Sequence, residues 1–163
     1  MKKIFIIFLI FSELILCNQL PNDIRWVTNS KEYISICNQT YNMAIKNLNK
    51  INSINNENNL AVIMDLDETV LDNSQYQVEL TKLNQSFNMD SWANWVDREE
   101  AKLIPGCLDY INAVRQKSIQ IIYISNRMDE RVQATKNNLK NLHIFSENDI
   151  SIIMKIIFCW FTI

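Results

Sequence analysis

Leu60-Ala61-Val62-Ile63-Met64-Asp65-Leu66-Asp67-Glu68-Thr69 is the stretch whose reading decides the fold. Apolar residues run without a break into an acid. A run this short, with no helical spacing, suits a strand buried on both faces of a parallel sheet. Upstream, Lys31 to Lys50 sets Tyr33, Ile36, Cys37, Tyr41, Ala44 and Leu48 at steps of three and four, which predicts an amphipathic helix. The polar run Asn52 to Asn59 between the two reads as a loop. Downstream, an irregular stretch precedes Asp90 to Ala101, where Trp92, Trp95 and Val96 keep helical spacing. Pro105 opens a further helix with Leu108, Ile111, Ala113 and Val114 on its apolar side. Ile119 to Ile124 repeats the strand signal, and Asp129 to Leu142 reads as a helix through Val132, Leu139 and Leu142. Strand, long insert, helix, strand, helix is the order of an α/β unit with parallel strands.

Composition narrows the chemistry. The 163 residues are 48% hydrophobic and 21% charged, enough for one globular domain. The net charge of −2 leaves no basic footprint, so a nucleic acid polymer is not an expected partner. Gly106 is the 1 glycine, which excludes glycine-rich phosphate loops. His143 is the 1 histidine, which excludes two-histidine metal motifs. Asparagine numbers 22, a bias that looks like an AT-rich genome rather than a functional choice.

The two ends are apolar. Met1-Lys2-Lys3, the run Ile4 to Phe11 and then Leu14-Ile15-Leu16-Cys17 have the form of a secretory signal over residues 1–17. That leaves 18–163 as a single domain and predicts a secreted or cell-envelope protein. A buried N-terminal helix or strand is the other reading of the same run. Cys17 is a candidate for lipid attachment to a membrane, although Leu16 precedes it where bacterial lipoproteins usually carry a small residue. Cys37, Cys107 and Cys159 form no CxxC pair and read as buried thiols, not as a disulfide framework. Two glycosylation sequons occur, Asn38-Gln39-Thr40 and Asn84-Gln85-Ser86; they matter only in a secreted eukaryotic chain. The last stretch, Ile150 to Ile163, is almost wholly apolar. It is shorter than a membrane span and contains Lys155, which argues against a membrane protein held by both ends.

In open α/β sheets, ligands bind beyond the carboxyl ends of the strands. Asp65 and Asp67 stand at that position. Two acids so close repel unless a cation or a proton shares them, and Mg²⁺ suits them as a hard ion held by carboxylates and substrate phosphate. The Asp65 carboxylate can attack phosphorus and form an aspartyl-phosphate. Asp67 can protonate the leaving alkoxide and later activate water, while its carbonyl faces the metal. Thr69 can orient Asp67 through its hydroxyl. An acidic loop that merely caps a strand would fit two acids alone, but four apolar residues followed by D-x-D-x-T are far more specific. Ile121-Ile122-Tyr123-Ile124-Ser125-Asn126-Arg127 brings a hydroxyl to the matching sheet edge. Ser125 and the neighbouring amides, Asn126 among them, can hold a phosphoryl oxygen, and Arg127 can add charge-assisted contacts to the same anion.

These residues resemble the haloacid dehalogenase superfamily of phosphohydrolases, and within it the class C bacterial lipoprotein acid phosphatases. Asp65-Leu66-Asp67-Glu68-Thr69-Val70-Leu71-Asp72-Asn73-Ser74-Gln75-Tyr76, Trp92-Ala93-Asn94-Trp95-Val96, Ile104-Pro105-Gly106 and Tyr123-Ile124-Ser125-Asn126-Arg127 carry the likeness, which spans about Asn22 to Lys155. It implies a Rossmann-like parallel sheet with an N-terminal helix and a helical cap insert. It also implies a Mg²⁺-dependent phosphomonoesterase working best in acid, acting on small phosphate monoesters such as nucleoside monophosphates. Tyr76, Trp92 and Trp95 fall in the cap. Tyr76 and Trp92 are the candidate substrate-pocket residues, with core packing the other reading and the favoured one for Trp95.

The family pattern includes a lysine and a paired-acid motif after the second strand. Lys155 stands where the lysine region begins and is the phosphate-binding candidate. No acid follows Asp149, and residues 156–163 diverge. His143 stands where relatives often place a helix-ending glycine. The expectation is a fold incomplete at the C-terminus, with Asp65 and Asp67 as the metal ligands present. A catalytically inactive, truncated secreted relative is the alternative to an active phosphatase.

Overall fold

A computed structural model describes residues 20–52 and 60–153. The signal-like stretch, Cys17, Lys155, Cys159 and the tail beyond 153 lie outside the described residues. A short helix α1 (Asn22–Asn29) leads into the long helix α2 (Lys31–Asn52). Ser30 separates them, and its hydroxyl accepts the backbone N–H groups of Glu32 and Tyr33 at 3.1 and 3.3 Å. That satisfies two of the donors a helix start leaves open. Helix α2 was legible from its spacing; α1 was not, being one short polar stretch.

Strand β1 (Ala61–Asp65) pairs in parallel with β4 (Gln120–Ser125), and β4 pairs in parallel with β5 (Ile150–Ile153), giving the order β1-β4-β5. The expected parallel α/β sheet is therefore present, with β1 at its edge among the described residues. One expectation needs correction. The strands are not buried evenly on both faces. Ile121 and Tyr123 are fully buried and Met64 nearly so, whereas Ile63, on the opposite face of β1, is 65% exposed. The described helices cover one face of β1, and the alternation of the pleat does the rest.

Between β1 and β4 lies the insert. Strands β2 (Leu71–Asp72) and β3 (Lys102–Leu103) pair antiparallel and bracket two helices, α3 (Ser74–Lys82) and α4 (Met89–Asp97). The sequence offered no strand signal for two-residue strands, and α3 fell in the stretch read as irregular. Helix α4 ends four residues before the expected Ala101. Its start is capped by Asn88, whose side chain accepts the Ser91 N–H at 2.8 Å. Arg98, just past α4, reaches back to Glu79 of α3 at 2.6 Å and ties the two helices together.

Helix α5 (Cys107–Gln116) begins two residues after Pro105, because Gly106 with φ of 85° makes the turn that starts it. A methyl group on Gly106 would sit 3.0 Å from Asn38 Oδ1 and 3.2 Å from Tyr41 Cβ. The single glycine thus lies where α2 presses against the start of α5, and its lack of a side chain lets the two helices meet. The same contact half-buries Asn38, so that sequon sits within a helix against a neighbour, whereas Asn84 is exposed in a turn. Cys107 is fully buried, and burial pushes its thiol up to about 11. Cys37 and Cys107 are both free. No helix among the described residues is long and apolar enough to cross a membrane.

Helix α6 (Val132–Asn141) follows a 3₁₀ turn over Asp129–Arg131. It ends with His143 at φ 58°, the His143 N–H on the Lys140 carbonyl at 2.9 Å and the Ile144 N–H on the Leu139 carbonyl at 3.0 Å. This is a Schellman cap, whose left-handed position glycine normally fills. Asn84 after α3, Glu99 after α4 and Ser118 after α5 take the same left-handed conformation, at φ 51°, 57° and 54°. A chain nearly without glycine builds these turns from side-chain-bearing residues and carries the strain. Replacing His143, which is exposed, by glycine should therefore stabilise the fold by about 1 kcal/mol. In thermal unfolding that corresponds to a rise of roughly 2–4 °C for a chain of this size. An unchanged or lowered midpoint would mean the turn carries no strain.

Candidate active site

The register of the sheet assembles the site. Asp65 pairs across with Ile124, so Ser125 lies one step beyond, at the same end of the sheet. Past Asp65 the chain folds into a tight loop around the buried Leu66. The N–H groups of Val70 and Leu71 both reach the Leu66 carbonyl, at 2.9 and 2.8 Å, and the Glu68 N–H reaches the Leu71 carbonyl at 2.9 Å. Glu68 pays for this tightness with a φ of 58°. From below, the Tyr41 hydroxyl of α2 donates to the Thr69 carbonyl at 2.5 Å.

The loop gives the two acids different surroundings. Asp65 faces solvent. Asp67 is turned inward, its side chain 16% exposed, against the 1% exposed guanidinium of Arg127. Arg127 Nε lies 3.1 Å from each Asp67 oxygen and Nη2 lies 2.6 Å from Oδ1. The remaining Nη1 donates to Thr135 Oγ1 of α6 at 3.1 Å. The Ser125 hydroxyl accepts the Arg127 backbone N–H at 3.1 Å and donates to Asp67 Oδ2 at 3.4 Å. Asn73 Nδ2 adds a further bond to Asp67 Oδ1 at 2.9 Å.

Partial desolvation raises the Asp65 carboxyl above its ordinary range. The Leu66 backbone N–H pulls it back, the Asp67 charge raises it again, and Arg127 and the Thr69 hydroxyl lower it. Burial likewise raises the Glu68 carboxyl; its bond from Asn73 opposes this and the Asp67 charge reinforces it. Several carboxylates crowd the loop, and Arg127 is the cation set among them.

Three placements differ from the sequence reading. The Thr69 hydroxyl bears on the Asp65 carboxyl, which it lowers, rather than on Asp67. The guanidinium of Arg127 is committed to Asp67 and Thr135 instead of facing an open anion site, because burial of Arg127 demands a full-charge partner. Tyr76 is 3% exposed, with its hydroxyl on Ser91 Oγ at 2.8 Å, so it packs the insert and does not line a pocket. Trp92 is half-buried, its ring 5.6 Å from the Arg127 guanidinium, and Phe87, 57% exposed, lies 6.3 Å beyond it. Trp92 lies beside the acid–arginine pair, and Phe87 packs against Trp92. Asn126 is exposed beside Ser125. Lys155 lies outside the described residues.

Sequence reasoning passed over Asn73, Thr135 and Tyr41. Thr135 gave no signal and Tyr41 showed only as an apolar position of α2 and in the run Tyr41-Asn42-Met43-Ala44, since the contacts of both cross between elements. Asn73 gave a weak one. A Trp predicted to be buried needs an acceptor for its N–H, and a polar residue within the motif block is where one would look.

Removing one partner of a buried ion pair leaves the other charge stranded, at a cost of about 3–5 kcal/mol. Arg127→Met should destabilise the protein by about 3 kcal/mol in urea unfolding, and adding Asp67→Asn should restore part of that loss. Additive losses in the double variant would show that the pair is not a coupled unit.

The site matches a known group of proteins. A family model described as HAD superfamily, subfamily IIIB (acid phosphatase) matches residues 15–155. The class C acid phosphatase from Bacillus anthracis with tungstate bound is similar at 30% identity and a TM-score of 0.72, over 79% of this chain and 55% of that one. A second structure of the class C acid phosphatase from that organism gives 30% identity, a TM-score of 0.73 and coverage of 79% and 56%. The chain thus spans little more than half the length of these solved relatives. The motif, the sheet order and the matched span agree, and the chain belongs to subfamily IIIB of the haloacid dehalogenase superfamily, the acid phosphatase family.

Proposed function

We propose that this chain carries the nucleophile half of a phosphomonoesterase site acting on small phosphate monoesters, nucleoside monophosphates among them. One observation carries the reading. Two acids two residues apart have opposite environments, Asp65 open to solvent and Asp67 held by Arg127, Asn73 and Ser125. A nucleophile must be reachable, and an acid–base group must be held in one direction.

In the first step an Asp65 oxygen forms a bond to phosphorus while the ester P–O bond breaks. Asp67, ionised against Arg127 in the resting site, first takes up a proton from solvent, and the leaving oxygen takes the electron pair and that proton. In the second step water attacks the aspartyl-phosphate, giving its proton to Asp67 and releasing phosphate and the Asp65 carboxylate. The Ser125 hydroxyl stands close enough to Asp67 to serve the same end of the sheet. Trp92, with Phe87 packed against it, gives an aryl or base group an aromatic surface beside the site.

A divalent cation, Mg²⁺ in this reading, fits the donors in kind. They are all oxygen, and such an ion takes few protein carboxylates and fills its shell with water and substrate phosphate. The Asp65 carboxylate and the Asp67 carbonyl are the groups that would hold it, the Asp67 carboxylate being engaged by Arg127. Among the described residues no three ligating side chains come together. Bound there, the ion would neutralise phosphate charge. The signal-like residues 1–17 extend the proposal to a secreted or cell-envelope protein.

A second reading, binding of phosphate esters without turnover, is favoured by the same short donor set. Hydrolysis of p-nitrophenyl phosphate in Mg²⁺ separates the two. We expect turnover that chelation removes, and Asp65→Asn should lower it by on the order of a thousandfold or more with the fold intact. Phosphate binding by calorimetry with no turnover would establish the second reading. Full activity in Asp65→Asn would refute the nucleophile assignment.

A further inference from the structure

Asn73 is 1% exposed and makes a complete set of directed bonds. Its carbonyl accepts the indole N–H of Trp95 at 2.9 Å. Its amide donates to Asp67 Oδ1 at 2.9 Å and to Glu68 Oε1 at 3.1 Å. The orientation of the amide follows from chemistry. An indole N–H can only donate, so the Asn73 oxygen must face Trp95. The NH₂ group must then face the carboxylates, which accept. No flipped form of this side chain satisfies both sides.

Trp95 belongs to α4, in the helical insert, and is itself 2% exposed. Its ring is stacked in the insert, 6.1 Å from Tyr76, with Arg98 over it at 4.8 Å. Asn73 stands just after β2, before α3. The bond from Trp95 through Asn73 to Asp67 therefore runs from the interior of the insert to the acid at the end of the sheet. Arg127 grips Asp67 from the β4 side, and Asn73 grips it from the insert side.

We infer that Asn73 is a positioning residue for Asp67, anchored by Trp95, so that the seating of the helical insert sets the direction in which Asp67 meets the leaving group. The inference rests on the phosphomonoesterase reading above. Asn73 touches no reacting atom. Its part is to hold the carboxyl that delivers the proton as the P–O bond breaks. Arg127 and Ser125 hold Asp67 from the β4 side, and Asn73 adds a donor to Oδ1 from the insert side.

The test uses leaving-group dependence. A nitrophenolate leaves without help, whereas an alkoxide needs the proton. In the 163-residue chain, Asn73→Ala should lower kcat for an alkyl phosphate such as glycerol phosphate at least about tenfold more than kcat for p-nitrophenyl phosphate, with KM for both unchanged. Because Asn73→Ala takes a donor from Asp67 and from Glu68, strands the buried Trp95 N–H and can impair folding, Trp95→Phe is the second variant. It keeps a ring in the insert and removes only the N–H. It should show the same selective loss in smaller measure, and the double variant should be no worse than Asn73→Ala.

The Trp95 indole N–H, one of 4 tryptophan signals by NMR, reads the bond without any turnover. It should move and exchange faster in Asn73→Ala, and move in Asp67→Ala as well. An indole signal indifferent to Asn73 overturns the inference. An indole that responds while both substrates slow equally also overturns it and leaves Asn73 a packing residue. Wild-type protein with an intact indole signal and no turnover on either substrate refutes the phosphomonoesterase reading, and the inference falls with it.

Discussion

The ion pair between Asp67 and Arg127 is the constraint on which the site depends. It joins the loop after β1 to the segment after β4, which the parallel register already brings side by side. A buried guanidinium is tolerable only with an ionised partner and all its donors used. Asp67 and Thr135 meet both conditions. The pair also decides which acid is available. With Asp67 held, Asp65 is the one of the two left facing solvent, and two chemically identical residues sit in different surroundings.

The insert is more than a cover. It is closed at its neck by the short pairing of β2 with β3, and the Ile104 N–H on the Val70 carbonyl at 3.1 Å extends that closure. Its two helices are bound to each other by Arg98 and Glu79 and by the Tyr76–Trp95 packing. Such a unit moves as a body if it moves at all, and its aromatic residues reach the acid–arginine pair from one side.

Much of this was legible in the residues. The apolar run into Asp65, its echo into Ser125 and the spacing of Tyr41, Ala44 and Leu48 gave β1, β4 and α2, because each pattern is local and periodic. Strands β2 and β3 were invisible, since two residues cannot show a period and their pairing joins positions about thirty apart. Helix α3 was missed because its buried residues, Tyr76, Val78 and Leu80, alternate at two rather than at three and four. The position of Asp65 and Asp67 was readable from the motif, but the partner of Arg127 was not. From sequence, an arginine near a phosphate site looks equally suited to the substrate or to a carboxylate. Only burial, which depends on α6 and Trp92, selects the second.

The close seat of α2 on Gly106 has a consequence for the chain as it is made. Tyr41 and Asn38 must meet a turn that is synthesised some 65 residues later, counting from Tyr41 to Gly106. At about 5–20 residues per second, that is on the order of 3–13 seconds of elongation. Throughout it the half-buried face of α2, with Cys37, Tyr41 and Leu48, has no α5 to rest on. The brace of the loop after β1 is thus among the first parts of the protein to exist and among the last to find its place. A nascent chain of this design stays open until most of the insert and the turn after it have been translated.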